Sequence, residues 1–208
     1  FSEYEKLTIS KLLLKDLNVD RIEVASARVS SGEFNAVKKI IDWAKTENLD
    51  HKIEILTFID EGISIEWMNK AGAKVQNLLS KGSINHLKYQ LNKTPQEHFN
   101  DIEKIIDIAK KNKIETNIYL EDWSNGMKNS KKYVFDFLDF LKKIPVKRVL
   151  LPDTLGILNP DETFSFLHEV TKRYPKLHFD FHGHNDYDLS VANTLEALKA
   201  GCHGIHTT

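Results

Sequence analysis

The feature that most constrains this sequence is its alternation. Short β-rich runs follow amphipathic helical runs along all 208 residues, with no linker or low-complexity segment between them. The strand candidates are RIEVAS (21–26), IEILTF (53–58), KVQNLL (74–79), TNIYLE (116–121), KRVLLPD (147–153), LHFDFHG (177–183) and GIHTT (204–208). Most are apolar on both faces, as buried parallel strands are. Helix starts are readable between them. Thr94-Pro95-Gln96-Glu97 is a capping box with Pro at the first helical position, and Phe99, Ile102, Ile105, Ile106 and Ala109 follow on one face. Asn159-Pro160-Asp161-Glu162 opens a second such helix, with Phe164, Leu167 and Val170 expected to turn inward.

Successive strands begin some 20 to 40 residues apart, which is a βα repeat. Two folds fit it: a doubly wound sheet, or a (β/α)8 barrel lacking one strand. A doubly wound nucleotide fold calls for a Gly-rich turn after a strand, and neither G-x-G-x-x-G nor a Walker loop is present. The pattern therefore predicts an α/β TIM barrel lacking its first strand and last helix, with residues 1–208 as one catalytic domain holding strands two to eight. The opening helix, from Ser2 to about Leu17, would follow the absent strand.

Composition removes other classes. Basic and acidic residues nearly balance, at 29 against 30, so nothing argues for nucleic acid or an anionic membrane as partner. The lysine pairs Lys131-Lys132 and Lys142-Lys143 read as solvated helix faces. No apolar run approaches the roughly 18 residues of a spanning helix. Cys202 is the single cysteine, which rules out an internal disulfide and makes a reducing cytoplasm the expected location. It reads as a small buried side chain.

In such barrels the chemistry gathers at the C-terminal ends of the strands. Those ends carry Ser26 and Arg28, Asp60, Lys81, Glu121 and Asp122, Asp153 and Thr154, His182 and His184, and Thr207. His86, His98 and His168 fall on helices or loops and read as surface residues. His182 and His184 stand at i and i+2, so strand geometry points both imidazoles the same way, with Asp180 below them. Two neutral ring nitrogens can hold one divalent ion without completing its shell. Spacing alone leaves open whether they do. Glu121 shares its side of the strand with Tyr119, and is either a rim salt bridge or a general base. Asp153-Thr154 is either turn chemistry or a carboxylate-binding hydroxyl.

Taken together, LPDTLGILNP (151–160) and HGHNDYDLSVANTLEALKAG (182–201) resemble the acyl-CoA-dependent Claisen condensing enzymes of the metal-dependent aldolase-lyase barrels. These are the isopropylmalate, homocitrate and citramalate synthases, with hydroxymethylglutaryl-CoA lyase as a relative. ARVSSGEF (27–34), YLEDWSNG (119–126) and HGHNDYDLSVAN (182–193) most resemble the citramalate branch. The resemblance implies that His182 and His184 bind a divalent cation (Mg2+, Mn2+ or Zn2+) and that Glu121 assists deprotonation of acetyl-CoA. It implies that Thr154 binds the carboxylate of a 2-oxo acid and that the protein is a homodimer. Tyr119, with Leu56 and Leu79, would leave room for little more than a methyl group, which favours pyruvate over 2-oxoisovalerate. Arg28 could meet the distal carboxylate of 2-oxoglutarate, the homocitrate precursor.

Two family motifs are absent. A first-strand D-x-T-L-R-D-G run supplies a metal-binding Asp and a catalytic Arg, and a late N-G-x-G-E-R run supplies an Asn ligand. The expectation is a piece of a longer enzyme, without the regulatory C-terminal domain common in the family. Asp188 also departs from the family, which usually has Gly there. A retro-Claisen lyase shares the metal site but uses a cysteine-bearing loop near the last strand, and Cys202 precedes that strand. A metal hydrolase would want further histidines at strand ends, where only His206 is available. An inactive fragment is the remaining alternative.

Overall fold

The computed structural model describes residues 1–207. Among them are seven strands in one sheet that keep strict chain order: β1 (Ile22–Ser26), β2 (Ile53–Thr57), β3 (Val75–Lys81), β4 (Glu115–Glu121), β5 (Val149–Asp153), β6 (Phe179–Gly183) and β7 (Gly204–His206). Thr208, the end of the predicted strand GIHTT, lies outside the described residues. The pairs β1–β2, β2–β3, β4–β5, β5–β6 and β6–β7 run parallel. Sequential parallel order without a reversal is that of a (β/α)8 barrel and excludes a doubly wound sheet, whose strand order switches direction. The fold is that of a TIM barrel with seven of its strands present.

The helices are α1 (Glu3–Lys11), α2 (Ser31–Thr46), α3 (Ile63–Ala71), the single turn α4 (Ile84–His86), α5 (Pro95–Lys111), α6 (Trp123–Asn129), α7 (Lys131–Leu141), α8 (Pro160–Arg173) and α9 (Ser190–Lys199). Both expected capping boxes are formed, at Thr94/Glu97 and at Asn159/Glu162. A third, Ser2/Glu5, starts α1.

The chain divides into two compact units, one of Phe1–Leu78 with Lys104–Thr116, the other of Leu79–Glu103 with the chain from Asn117 onward. In the first, Val37, Ile40 and Ile41 of α2 and Ile65 and Met68 of α3 bury against Ile53 and Ile55 of β2. Its strands also carry a buried polar ladder: Thr57 donates to Gln76 (2.9 Å), and Gln76 donates to Thr116 (2.8 Å). Each of these side chains is satisfied, so burial leaves no orphaned donor or acceptor in the ladder. In the second unit, Trp123, Phe137, Phe179 and Phe181 are the largest fully buried side chains.

Three inward and outward assignments need correction, the first being His86, whose side chain is mostly buried with its Nε2 3.6 Å from Asp122 rather than on the surface. Phe164 of α8 is 38% exposed and stacks on His168, because Thr163, Leu167 and Val170 form the buried i, i+4, i+7 stripe and Phe164 stands one residue off it. His98 is fully buried rather than a surface residue, since α5 turns it inward one position before Phe99. Cys202 is buried as expected, and Lys131 and Lys132 lie on solvated faces, paired to Glu169 and Asp136.

Candidate active site

Three loops at the C-terminal ends of β3, β4 and β5 are locked together in the second unit. Gly82 donates its N–H to the Glu121 carbonyl at 2.6 Å, and Gly126 packs onto Gly82. A Cβ on Gly126 would lie 2.2 Å from the Gly82 carbonyl oxygen, so the sequence needs glycine there for the strand ends to approach. This close approach places the Lys81 ammonium against the Glu121 carboxylate as an ion pair, with both side chains mostly shielded from water. Lys81 is itself fixed through its backbone. His98 Nε2 accepts its N–H (3.2 Å), and Tyr133 donates its hydroxyl to its carbonyl (2.7 Å). Burial pushes His98 down to about 4 and raises Tyr133, so both are neutral at pH 7.

Asp122, directly after Glu121, is fully buried and sits in the left-handed region at φ 65°. Its carboxylate accepts from Ser83 Oγ (2.6 Å) and Asn125 Nδ2 (2.8 Å), with His86 Nε2 at 3.6 Å. Its backbone N–H donates to Thr154 Oγ1 at 2.8 Å. Asp153 braces the same loop, its carboxylate accepting the N–H groups of Ile157 (3.1 Å) and Leu158 (3.0 Å). The Asp153 carbonyl in turn accepts from His184 N (3.4 Å), which joins the β5 end to the β6 end. A cavity of about 600 Å3 lined by Ser83, Asn85, Lys88, Tyr89, Asn125 and Ser130 opens beside these loops.

The imidazoles gather at the ends of β6 and β7. Parallel register sets His182 opposite His206, with ring centroids 4.9 Å apart, and the His184 ring is 5.0 Å from that of His182. Tyr119 brings its hydroxyl to 2.5 Å from His206 Nδ1 and its ring edge-on to His182. Burial, with lesser repulsion from His206 and His184, pushes His182 down to about 4, and burial likewise lowers His206. His182 is therefore a neutral imidazole at pH 7, the form that binds metals. Its Nδ1 is buried with no hydrogen-bond partner among the described residues, an orphaned nitrogen of the kind a bound ion would satisfy. Asp180 does not join it; that carboxylate is engaged with Arg148 (2.7 Å) and His178 (2.8 Å). Among the described residues no group of three His, Cys, Asp or Glu side chains is placed to hold an ion.

In the second unit Tyr119, His182 and His184 meet through ring contacts, Glu121 pairs with Lys81, and Thr154 accepts from Asp122 N–H; Leu79 of β3 is half-buried in the same unit. Leu56 and Arg28 belong to the first unit. Leu56 is half-buried, while Arg28 is exposed at φ 69° and paired with Asp60 at 2.8 Å. Asp60 also caps α3 through Ser64, so this pair braces a loop. Asp188, where the family usually has Gly, has φ 57° and accepts from Asn185 Nδ2 at 3.1 Å. Asp tolerates the left-handed region with such a local bond, so the departure keeps the backbone a Gly would take. Sequence reasoning named Lys81, Asp122 and His206 individually but did not pair them with Glu121, Thr154 and Tyr119. Those partnerships depend on strand register.

A sheet of parallel strands in chain order, each joined to the next through a helix, with polar side chains at the strand ends, defines the class of a TIM-barrel protein. Comparison with known proteins narrows this: the HMGL-like family matches residues 1–208, and the chain belongs to that family. It is 28% identical over 213 residues to homocitrate synthase of Sulfolobus acidocaldarius, covering 100% of this chain and 43% of that protein. To homocitrate synthase of Saccharolobus islandicus it is 30% identical over 217 residues, covering 100% of this chain and 44% of the relative. The chain therefore spans less than half the length of these relatives. Its fold matches the HMG-CoA lyase of Bacillus subtilis with a TM-score of 0.76 at 20% identity, over 99% of this chain and 69% of that one. It also matches the carboxyl transferase domain of Rhizobium etli pyruvate carboxylase (TM-score 0.71, 12% identity, 99% and 36% coverage).

Proposed function

We propose that the full-length protein carrying these residues is an acyl-CoA-dependent transferase that condenses acetyl-CoA with a 2-oxo acid, residues 1–208 forming most of its catalytic barrel domain. The observation that carries this reading is His182: half-buried, neutral, with a buried and unpartnered Nδ1, and two positions from His184. Membership of the HMGL-like family and similarity to homocitrate synthases support the same class.

In this reading His182 and His184 are two ligands of a divalent cation, the rest of its shell lying outside these residues. Such an ion supplies Lewis-acid chemistry, easing the negative charge that develops on a ketone oxygen. Glu121 takes a proton from the methyl group of the acetyl thioester. Lys81 keeps the carboxylate in place and offsets its charge. The Thr154 hydroxyl donates its hydrogen to the substrate carboxylate. The methyl carbanion forms the new carbon–carbon bond to the ketone carbon, the oxygen takes up a proton, and water cleaves the thioester to release CoA.

Pyruvate is the acceptor we propose, which would make citramalate for branched-chain amino-acid synthesis. Tyr119 supports it. The ring is buried and its hydroxyl is anchored on His206, so it cannot easily swing away to admit a longer side chain. A pocket of fixed size discriminates by roughly 1–3 kcal/mol per methylene. 2-Oxoglutarate is the second reading, favoured by the homocitrate synthase relatives. It needs a cation for the distal carboxylate, and the charge of Arg28 is already paired with Asp60. 2-Oxoisovalerate ranks behind both against a fixed tyrosine. A cysteine-dependent lyase finds no support in Cys202, whose thiol burial pushes up to about 12. No helix among the described residues is long and apolar enough to cross a membrane; a cytoplasmic homodimer is the form we propose. CoA release by the full-length protein, measured in parallel with pyruvate, 2-oxoglutarate and 2-oxoisovalerate, tests the choice. Pyruvate should be fastest, and a faster rate with either other acid overturns it.

A further inference from the structure

The left-handed conformation of Asp122 is unusual enough to ask what holds it and what it achieves. A non-glycine residue at φ 65° is strained unless its surroundings fix it. Here the fixing groups are Ser83, Asn125 and the nearby His86 ring, all directed at one fully buried carboxylate. Ser83 is held in turn, since its hydroxyl oxygen also caps the His86 N–H at 3.1 Å. What the conformation achieves is the aim of one backbone N–H, which meets Thr154 Oγ1 at 2.8 Å. A threonine hydroxyl has one hydrogen to give and two lone pairs to receive. With a lone pair occupied by Asp122 N–H, the hydroxyl is oriented and its hydrogen stays available to another acceptor.

We infer that Asp122 is a positioning residue of the active site: its buried carboxylate, gripped by Ser83 and Asn125, holds the backbone that orients the Thr154 hydroxyl toward the carboxylate of the 2-oxo acid. This rests on the condensing activity proposed above. Asp122 acts through Thr154 and touches no substrate.

The test is steady-state kinetics on the full-length protein with Asp122→Ala, Asp122→Asn, Thr154→Val and the Ala/Val double variant. Asp122→Ala should raise KM for the 2-oxo acid roughly tenfold, the scale of one weakened hydrogen bond to a charged group. KM for acetyl-CoA should change little. Asp122→Asn, which tolerates the left-handed region and keeps an acceptor for Ser83, should restore most of the loss. In the Thr154→Val background, Asp122→Ala should add nothing further to the 2-oxo acid KM, because the group it orients is gone. A merely structural role would raise both KM values and lower kcat in either background, and that result overturns the inference. Should Asp122→Ala not fold, the Asn variant carries the test: a 2-oxo acid KM as high as that of Thr154→Val overturns it. Wild-type protein whose CoA release does not depend on a 2-oxo acid overturns the condensing activity itself. Dependence in the wild type with additive Asp122 and Thr154 effects overturns this inference alone.

Discussion

The Lys81 ammonium is paired with the Glu121 carboxylate at the ends of adjacent strands β3 and β4, and the two residues are fixed through backbone contacts on both sides. Glu121→Gln should lower kcat of the full-length enzyme by about a hundredfold to ten-thousandfold, the usual range for losing a general base. Lys81→Met keeps the base but removes its partner, so its loss should be smaller, about tenfold. Equal kcat in wild type and Glu121→Gln would remove Glu121 from the chemistry.

His182 offers a neutral imidazole with an orphaned Nδ1. Dialysis of the full-length protein against a chelator should abolish CoA release, and a divalent cation should restore it. His182→Ala and His184→Ala should each weaken cation binding measured by calorimetry, by at least tenfold. Tight binding by the double variant would place the ion elsewhere.

Tyr119 is anchored on His206, and the proposed function makes its ring the limit on acceptor size. Tyr119→Ala should narrow the preference for pyruvate over 2-oxobutyrate about tenfold, a value within the roughly 1–3 kcal/mol of one methylene. The ratio of kcat/KM values for the two acids reads this directly.

Burial holds His98 at about 4 in the folded protein against an ordinary value of 6.5. Below pH 6.5 the unfolded chain takes up a proton that the folded chain refuses until about pH 4. Stability is therefore intact above pH 6.5 and falls as pH drops toward 4, by about 3 kcal/mol at most. Urea unfolding of wild type and His98→Gln at pH 7 and pH 5 measures it: the variant keeps an acceptor for Lys81 N–H and should lose less between the two pH values.

Gly126 has no room for a side chain beside the Gly82 carbonyl. Gly126→Ala should cost about 1–3 kcal/mol by overpacking and should slow turnover as well, because the displaced backbone carries Glu121 and Asp122. Unchanged thermal stability would show that this approach is soft.

The strands were legible because a buried parallel strand reads as an unbroken apolar run: the six from RIEVAS to LHFDFHG lie where the sequence places them, within about two residues, and the seventh starts at Gly204 as expected. The helix starts were legible through side-chain caps that act over three residues. What escaped depends on distance in sequence. Tyr119 and His206 are 87 residues apart, and only the register of β6 on β7 brings His206 beside His182. Asp122 was visible as a polar strand-end residue, but its left-handed backbone and its N–H to Thr154 have no local signature. His98 escaped because polar residues on an amphipathic helix are assigned outward by default, whereas here the Lys81 N–H at the end of β3 needed an acceptor.

The most direct test follows the carbon atoms. Full-length protein incubated with methyl-13C acetyl-CoA, unlabelled pyruvate and a divalent cation should yield a product whose methylene carbon, adjacent to a new quaternary carbon, carries the label by NMR. Label recovered only as free acetate, or no turnover with any 2-oxo acid, would contradict the account.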